Sequence, residues 1–185
     1  RELTRAEYER LVSAAQASGR ERLVLLLETI CSTGIRVSEV KYITVEALKL
    51  GKAKISLKGK IRTILLPNKL CRKLLKYAKK QETVSGEVFL TRNGKGMSRK
   101  QIWAEMKSIC TKAKVAATKV FPHNLRHLFA RVFHKACRDV AKLADVLGHS
   151  SIETTRIYLI STGVEHAHTL ERVRLLLSTK YRYCP

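Results

Sequence analysis

Residues 23 to 30 read LVLLLETI. As a helix this stretch is apolar almost all the way round, so other elements have to wrap it rather than carry it on a surface. Thr33-Gly34 breaks it. With 185 residues the chain is long enough to do the wrapping within one domain. Thr4-Arg5-Ala6-Glu7 has capping-box spacing and opens a helix in front of the buried one. Residues 36 to 42 read as a short helical turn behind it. The period then changes: Ala53, Ile55 and Leu57 alternate with Lys52, Lys54 and Ser56. Lys58-Gly59-Lys60 makes a turn, and Ile61 to Leu66 is a β-rich run that Pro67 ends, which together make a hairpin. Asn68 is placed to cap a helix with Leu70, Leu74, Leu75 and Ala78 on one face. Glu87 to Leu90 reads as a short strand, Arg92-Asn93-Gly94 as a turn, and Ser98 as the cap of a helix reaching about Lys112.

The last third is helical. Leu125, Leu128, Phe129, Val132, Phe133 and Ala136 fall at i, i+3, i+4, i+7, i+8 and i+11, which predicts a buried stripe. Val140, Leu143, Ala144 and Leu147 repeat the pattern, and Gly148 ends that helix. Ser150 and Glu153 have capping-box spacing, so the next helix starts at once and carries Tyr158. A final helix is expected from about Glu165 to Ser178. The expected fold class is mainly α with one small antiparallel β-sheet.

Charge narrows the function. Lys and Arg number 37 against 15 Asp and Glu, a formal net charge of +22. A surplus of that size repels itself in the folded state and points to a polyanionic partner, of which nucleic acid is the commonest. The basic residues run through the whole sequence and form no single amphipathic stripe, which argues against a membrane surface. No run of ~18 apolar residues would span a bilayer. The five cysteines are odd in number, widely spaced and without a CxxC pair, which argues against a disulfide framework or zinc knuckle and fits a reducing cytoplasm. Cys31, Cys110 and Cys137 are expected in the core.

Five features carry chemistry, most of them with a plainer alternative. Arg36 follows the buried helix with Glu39 three residues on: a structural ion pair, or an arginine fork oriented by a carboxylate to grip a phosphate. His123, Arg126 and His127 form a polar cluster opposite the buried stripe, at a helix start that Pro122 pre-organises and that attracts anions. It is a solvated face, a metal pair at i, i+4, or a phosphate clamp. The glutamate of an HExxH motif is missing, since Asn124 stands there, and no third ligand is evident. Lys58 and Lys60 flank the hairpin tip, either as a solvated turn or as a lysine delivered into a DNA groove to protonate a leaving oxygen. His149 sits in the turn between Gly148 and Ser150. Tyr158 is a core aromatic or a nucleophile. Together the residues suit phosphoryl transfer without a metal, with guanidiniums neutralising the charge that develops on the equatorial oxygens. A tyrosine hydroxyl with a reference pKa of about 10 needs a base or a strongly positive pocket to act so.

TGIRVSE, HNLRH and LGHSSIETTRIY, in that order, resemble the three signature boxes of the tyrosine recombinases, the phage-integrase-type site-specific recombinases. RELTRAEYERLV resembles the start of that family's catalytic domain, and the resemblance runs from about residue 3 to 176. It implies that Tyr158 is the nucleophile, forming a 3′-phosphotyrosyl bond and releasing a 5′-hydroxyl. Arg36 and Arg126 would hold the scissile phosphate, His123 would serve as acid/base, and His149 would hydrogen-bond the phosphate. Lys58 would be the general acid toward the 5′-oxygen, with Glu39 in support. The family hairpin often reads GKGxKxR, and the shorter turn here leaves Lys60 as a rival for the role of Lys58. Lys60 and Arg62 are expected to contact DNA. The bond energy is held in the phosphotyrosyl link, so no cofactor, metal or ATP is implied. The expected partners are double-stranded DNA and further copies of the chain, a dimer on one site and a tetramer when two sites join, without a membrane. The expected location is the cytoplasm, beside the nucleoid. Residues 1 to 180 would be one catalytic domain, with residues 165 to 180 a helix that docks in trans or packs on its own domain. The resemblance implies core-binding and arm-binding domains in front of the catalytic one, which residues 1 to 180 would not include. A type IB topoisomerase and a non-catalytic DNA-binding regulator of the same fold are the alternatives.

Overall fold

The computed structural model describes residues 2–57, 60–149 and 151–156. Helix α1 (Arg5–Ala17) starts at the expected capping box: the Thr4 side chain accepts from the Glu7 backbone, and the Glu7 carboxylate accepts from the Thr4 N–H. Helix α2 (Glu21–Thr33) is the buried axis, with Leu23 to Leu27, Thr29 and Ile30 all inside. It packs against α1, against α4 (Asn68–Lys80) and most extensively against α6 (Pro122–Cys137). Gly34 ends α2 at φ 63°, and a Cβ there would lie 2.5 Å from the Phe129 ring, so glycine is needed both for the left-handed turn and for the approach of α6.

A 3-10 turn (Val37–Tyr42) and α3 (Val45–Leu50) lead into the sheet. Strands β1 (Lys52–Leu57) and β2 (Lys60–Leu65) pair antiparallel, with Ala53 opposite Ile64 and Ile55 opposite Arg62. Ala53, Ile55 and Ile64 are buried on the inward face, while Ile61 and Leu65 stand outward and exposed. Helix α5 (Arg99–Ser108) begins at a Ser98–Gln101 capping box. Helices α7 (Val140–Leu147) and α8 (Ile152–Arg156) follow α6. Among the described residues this is a mainly helical fold with one two-stranded antiparallel sheet, the expected class. No helix among them is long and apolar enough to cross a membrane.

Several local expectations differ. Asn68 does not cap α4: it is the first helical residue, Pro67 stands at the cap position and no side chain caps there. Glu87 to Leu90 is not a strand. It contributes two isolated bridges, Thr44 with Glu87 and Leu90 with Gly96, because no neighbouring segment runs alongside it long enough to form a ladder. Helix α5 stops at Ser108 rather than near Lys112, and the chain turns so that Ile109, Cys110 and Ala113 enter the core. The stripe on α6 is buried only in its first half: Val132 and Ala136 are exposed, and line an open cleft of about 640 Å³ with Tyr8, Cys31, Phe129 and Phe133. Among the described cysteines, Cys137 is exposed, Cys31 half-buried, and Cys71 and Cys110 buried. The helix expected to carry Tyr158 is described as α8 through Arg156; Tyr158 itself, the final helix expected after it, and the hairpin tip with Lys58 lie outside the described residues.

Candidate active site

The site forms where the end of α2, the start of α6 and the end of α7 meet. Helix α7 begins at Asp139, whose carboxylate accepts from the Lys142 N–H, and Leu143, Ala144 and Leu147 bury its inner face. Gly148, at φ 62°, closes it with the His149 N–H donating to the Ala144 carbonyl and the Gly148 N–H to that of Asp145. The next three carbonyls have no backbone donor within the helix, and three different arginines supply one. Arg62 Nη2 donates to Val146 at 3.4 Å, Arg126 Nη2 to Leu147 at 2.8 Å and Arg36 Nη2 to Gly148 at 3.5 Å. Cations at a helix C-terminus also meet the negative end of its dipole, so the same contacts that fix the turn make it tolerable to gather three guanidiniums there.

Their counter-charge is Glu39. It is 3% exposed. Its Oε2 accepts from the Arg36 backbone N–H at 2.9 Å and its Oε1 from Arg36 Nη1 at 3.0 Å, while Arg62 Nη1 donates to both oxygens at 3.2 and 3.4 Å. The predicted Arg36–Glu39 pair is therefore present, and Arg62 shares it. This places Arg62 differently from the DNA-facing position expected of it: its side chain is 14% exposed and its described hydrogen bonds run inward. Burial, then the neighbouring charge of Arg36, lowers its pKa against the opposing pull of Glu39.

Arg126 is 2% exposed, although the helical spacing placed it on a polar face. That face of α6 turns toward the ends of α2 and α7 rather than to solvent. Arg126 donates to the carbonyl oxygens of Gly34 and Leu147, and its Nη2 lies 2.9 Å from His149 Nε2. A guanidinium has no acceptor, so Nε2 is the accepting nitrogen and the His149 proton sits on Nδ1, where Thr155 Oγ1 receives it at 2.8 Å. Thr155, fully buried on α8, ties that helix to the site.

Arg36, His123, Arg126 and His149 converge on one cleft of about 390 Å³, lined also by Ile35, Val37, Ser38, Pro122 and Thr154. Pro122 begins α6 without needing a hydrogen bond, so the positive end of this long helix opens beside the guanidiniums. The His123 and His127 rings meet edge-on at 4.3 Å. Burial and then Arg126 lower the pKa of His123. Burial, then His123 and Arg126, bring His127 down to about 4. Burial and then Arg126, Arg36, Arg62 and His123 bring His149 to about 4. In each case the shift favours the neutral imidazole. Among the described residues no group of three or more His, Cys, Asp or Glu side chains could hold a metal ion.

These histidines predict an acid weakness. Unfolded, each imidazole takes up its proton near 6.5; folded, His127 and His149 do so only near 4. Between those values the unfolded chain binds more protons, so stability is full above about pH 6.5 and falls as the pH drops toward 4. The lowered carboxylates, Glu7 at about 2 among them, act below their ordinary 4.5 and leave the upper part of that window to the histidines. Urea midpoints should fall from pH 7 to pH 5, and a His127→Gln/His149→Gln double variant should flatten most of that slope.

Of the expected site residues, the structure brings Arg36, Glu39, His123, Arg126 and His149 together, and Arg62 with them. Lys60 lies on β2 beside the hairpin turn; Lys58 and Tyr158 fall outside the described residues. Thr155, and the inward placement of Arg62, were not anticipated; the only sequence signal for Thr155 was its place within the third box.

Fold and site together define a basic, mainly helical domain in which two arginines and two histidines line one cleft. The sequence matches the Phage integrase family over residues 1–163, and the chain belongs to that family. It is 31% identical to the tyrosine recombinase XerA of Pyrococcus furiosus over 182 residues, covering 94% of this chain and 62% of that one. It is 34% identical to the tyrosine recombinase XerD of Staphylococcus aureus over 142 residues, covering 72% of this chain and 48% of that one. The chain thus spans less than two thirds of the length of these relatives. The fold is that of a crystal structure of XerA recombinase, with a TM-score of 0.78, 23% identity, and coverage of 95% of this chain and 64% of that one. It is also that of the XerH site-specific recombinase bound to difH substrate in a pre-cleavage complex, with a TM-score of 0.73, 24% identity, and coverage of 92% and 53%.

Proposed function

We propose that the chain cleaves and rejoins DNA as the catalytic domain of a site-specific tyrosine recombinase or integrase, through a 3′-phosphotyrosyl intermediate. The observation that carries this is the cleft where Arg36, His123, Arg126 and His149 converge, with three guanidiniums set against one buried carboxylate. A phosphodiester seated there would supply the missing negative charge. Arg36 and Arg126 would donate to its non-bridging oxygens and gain strength as charge builds in the pentacoordinate state. His123, neutral and at the mouth of the α6 N-terminus, would take the Tyr158 proton as the phenolic oxygen attacks phosphorus. His149 would donate to the phosphate, which requires its ring proton to lie on Nε2 once the ligand displaces the Arg126 contact. The bond to the 5′-oxygen breaks as Lys58 delivers a proton to it. In the return step a 5′-hydroxyl of the partner strand attacks the phosphotyrosine, and Tyr158 leaves with a proton. Each step exchanges one phosphate ester for another, so the energy of the link is kept.

The names of the DNA-bound relatives support double-stranded DNA as substrate, and a lambda integrase dimer bound to a COC′ core site supports a dimer on one site. A tetramer joining two sites, Lys60 as a contact to the DNA backbone, and action in the cytoplasm beside the nucleoid complete the reading.

The test is a nicked substrate that loses its 5′-hydroxyl fragment on cleavage and traps the adduct. The wild-type chain should give a covalent protein–DNA band on a denaturing gel, and Tyr158→Phe should give none while binding the DNA as before. Adduct persisting in Tyr158→Phe would remove that residue from the role. Relaxation of supercoils without two-site recombination would make the activity that of a topoisomerase.

A further inference from the structure

Arg62 has more built around it than a hairpin cation needs. Its guanidinium bridges two separate elements: Nη1 donates to both oxygens of Glu39, behind the cleft, and Nη2 to the Val146 carbonyl at the end of α7. Its aliphatic stem crosses the turn that presents His149. A Cβ on Gly148 would stand 2.2 Å from Arg62 Cδ and 2.5 Å from Nε, so the absence of a side chain at 148 makes room for this arginine. Its Cα partner in the ladder is Ile55, one of the buried residues that seat the hairpin. A two-stranded hairpin has little stability of its own, and what fastens it to the domain decides where its tip points. Arg62 lies four residues from Lys58 along the same hairpin.

We propose that Arg62 is a positioning residue of strand transfer, not a DNA contact: it straps β2 to Glu39 and to the α7 turn, so that the strand and the phosphate cleft are held in register by one side chain. The inference rests on the strand-transfer reading above. Because Arg62 shares Glu39 with Arg36, it also limits how tightly the carboxylate holds the Arg36 fork, which must turn part of its donors toward a phosphate. Because it grips the carbonyl two residues before Gly148, it fixes the direction in which His149 leaves the helix. Lysine cannot replace it, since one ammonium lacks the rigid fork that reaches both the carboxylate and the carbonyl.

The experiment compares the full protein with Arg62→Met and Arg62→Lys on the nicked substrate. Three quantities are read: the single-turnover cleavage rate against pH, DNA affinity at several salt concentrations, and the melting temperature. The expected result for Arg62→Met is cleavage slowed by about tenfold or more, as misplacement of a reacting group by a fraction of an ångström produces. Affinity and the slope of log Kd against log salt should stay at wild-type values, whereas loss of a phosphate contact would reduce that slope by about one. The acid limb of the pH profile should also move up. His149 is faced by Arg36, Arg62, Arg126 and His123, with Thr155 on its other nitrogen and Glu39 behind, and removing one cation eases its protonation. Arg62→Lys, which keeps the charge, should leave the acid limb in place and still cleave slowly. It serves as the readout if Arg62→Met does not fold. Cleavage by Arg62→Lys at the wild-type rate, or a lowered salt slope in Arg62→Met, would overturn the proposal while leaving the strand-transfer reading intact. Absence of any adduct with the wild-type protein would overturn both.

Discussion

Replacing Arg126 with alanine is expected to slow DNA cleavage by about 10²–10³-fold, the cost of removing a preorganised donor from developing charge, while DNA affinity changes little. The two effects are expected to separate because Arg126 is 2% exposed and lines a small cleft, within reach of one seated phosphate rather than of a run of backbone. The side chain also holds the fold together: it bonds the Gly34 carbonyl at the end of α2 and the Leu147 carbonyl at the end of α7. Hydrogen bonds from charged groups contribute about 1.5–3 kcal/mol each, so alanine also destabilises the chain. Arg126→Lys keeps the charge and most of the volume, and gives the cleaner comparison. Single-turnover cleavage and equilibrium binding, measured on protein shown to be folded at the assay temperature, separate the two roles. Equal losses of cleavage and binding would make Arg126 a general backbone contact.

Glu39→Ala is expected to have the largest effect on stability. The carboxylate is buried and accepts from Arg36 through backbone and side chain and from Arg62 through a guanidinium. Its removal leaves two guanidiniums facing each other with no counter-charge. Breaking a buried pair on one side costs about 3–5 kcal/mol. At about 2–4 °C per kcal/mol for a chain of this length, the melting temperature should drop by roughly 6–20 °C. Glu39→Gln keeps the acceptor oxygen and the shape but not the charge, and should fall between the two. Thermal unfolding of both variants checks the order, and a Glu39→Ala protein as stable as the wild type would contradict the shared ion pair.

The parts of this molecule that were legible in advance are those governed by local rules. The Thr4 and Ser98 caps and the left-handed Gly148 depend on residues within one turn of each other, and each is found as read. Arg36 and Glu39, three apart, meet for the same reason. What was missed depends on partners distant in sequence. Glu87 to Leu90 has the composition of a strand but no ladder to join. Val132 and Ala136 continue the period of α6 past the point where anything covers them. Arg126 has the spacing of a surface residue, but the ends of two other helices close over it. Arg62 had the look of a cation near a hairpin tip, and only its packing against Gly148 turns it inward. No spacing rule connects residues 36, 62 and 126 with three successive carbonyls at the end of α7 and its cap; that arrangement is a product of tertiary packing.

The central claim is that the guanidiniums of this cleft act by neutralising the charge of one phosphate. The most direct measurement replaces the scissile phosphate of the nicked substrate with an uncharged methylphosphonate and compares adduct formation by wild-type, Arg36→Ala and Arg126→Ala proteins. With the charge gone from the substrate, the account predicts that the two variants recover most of the cleavage they lose on the natural phosphodiester. A deficit of the same size on both substrates would contradict it.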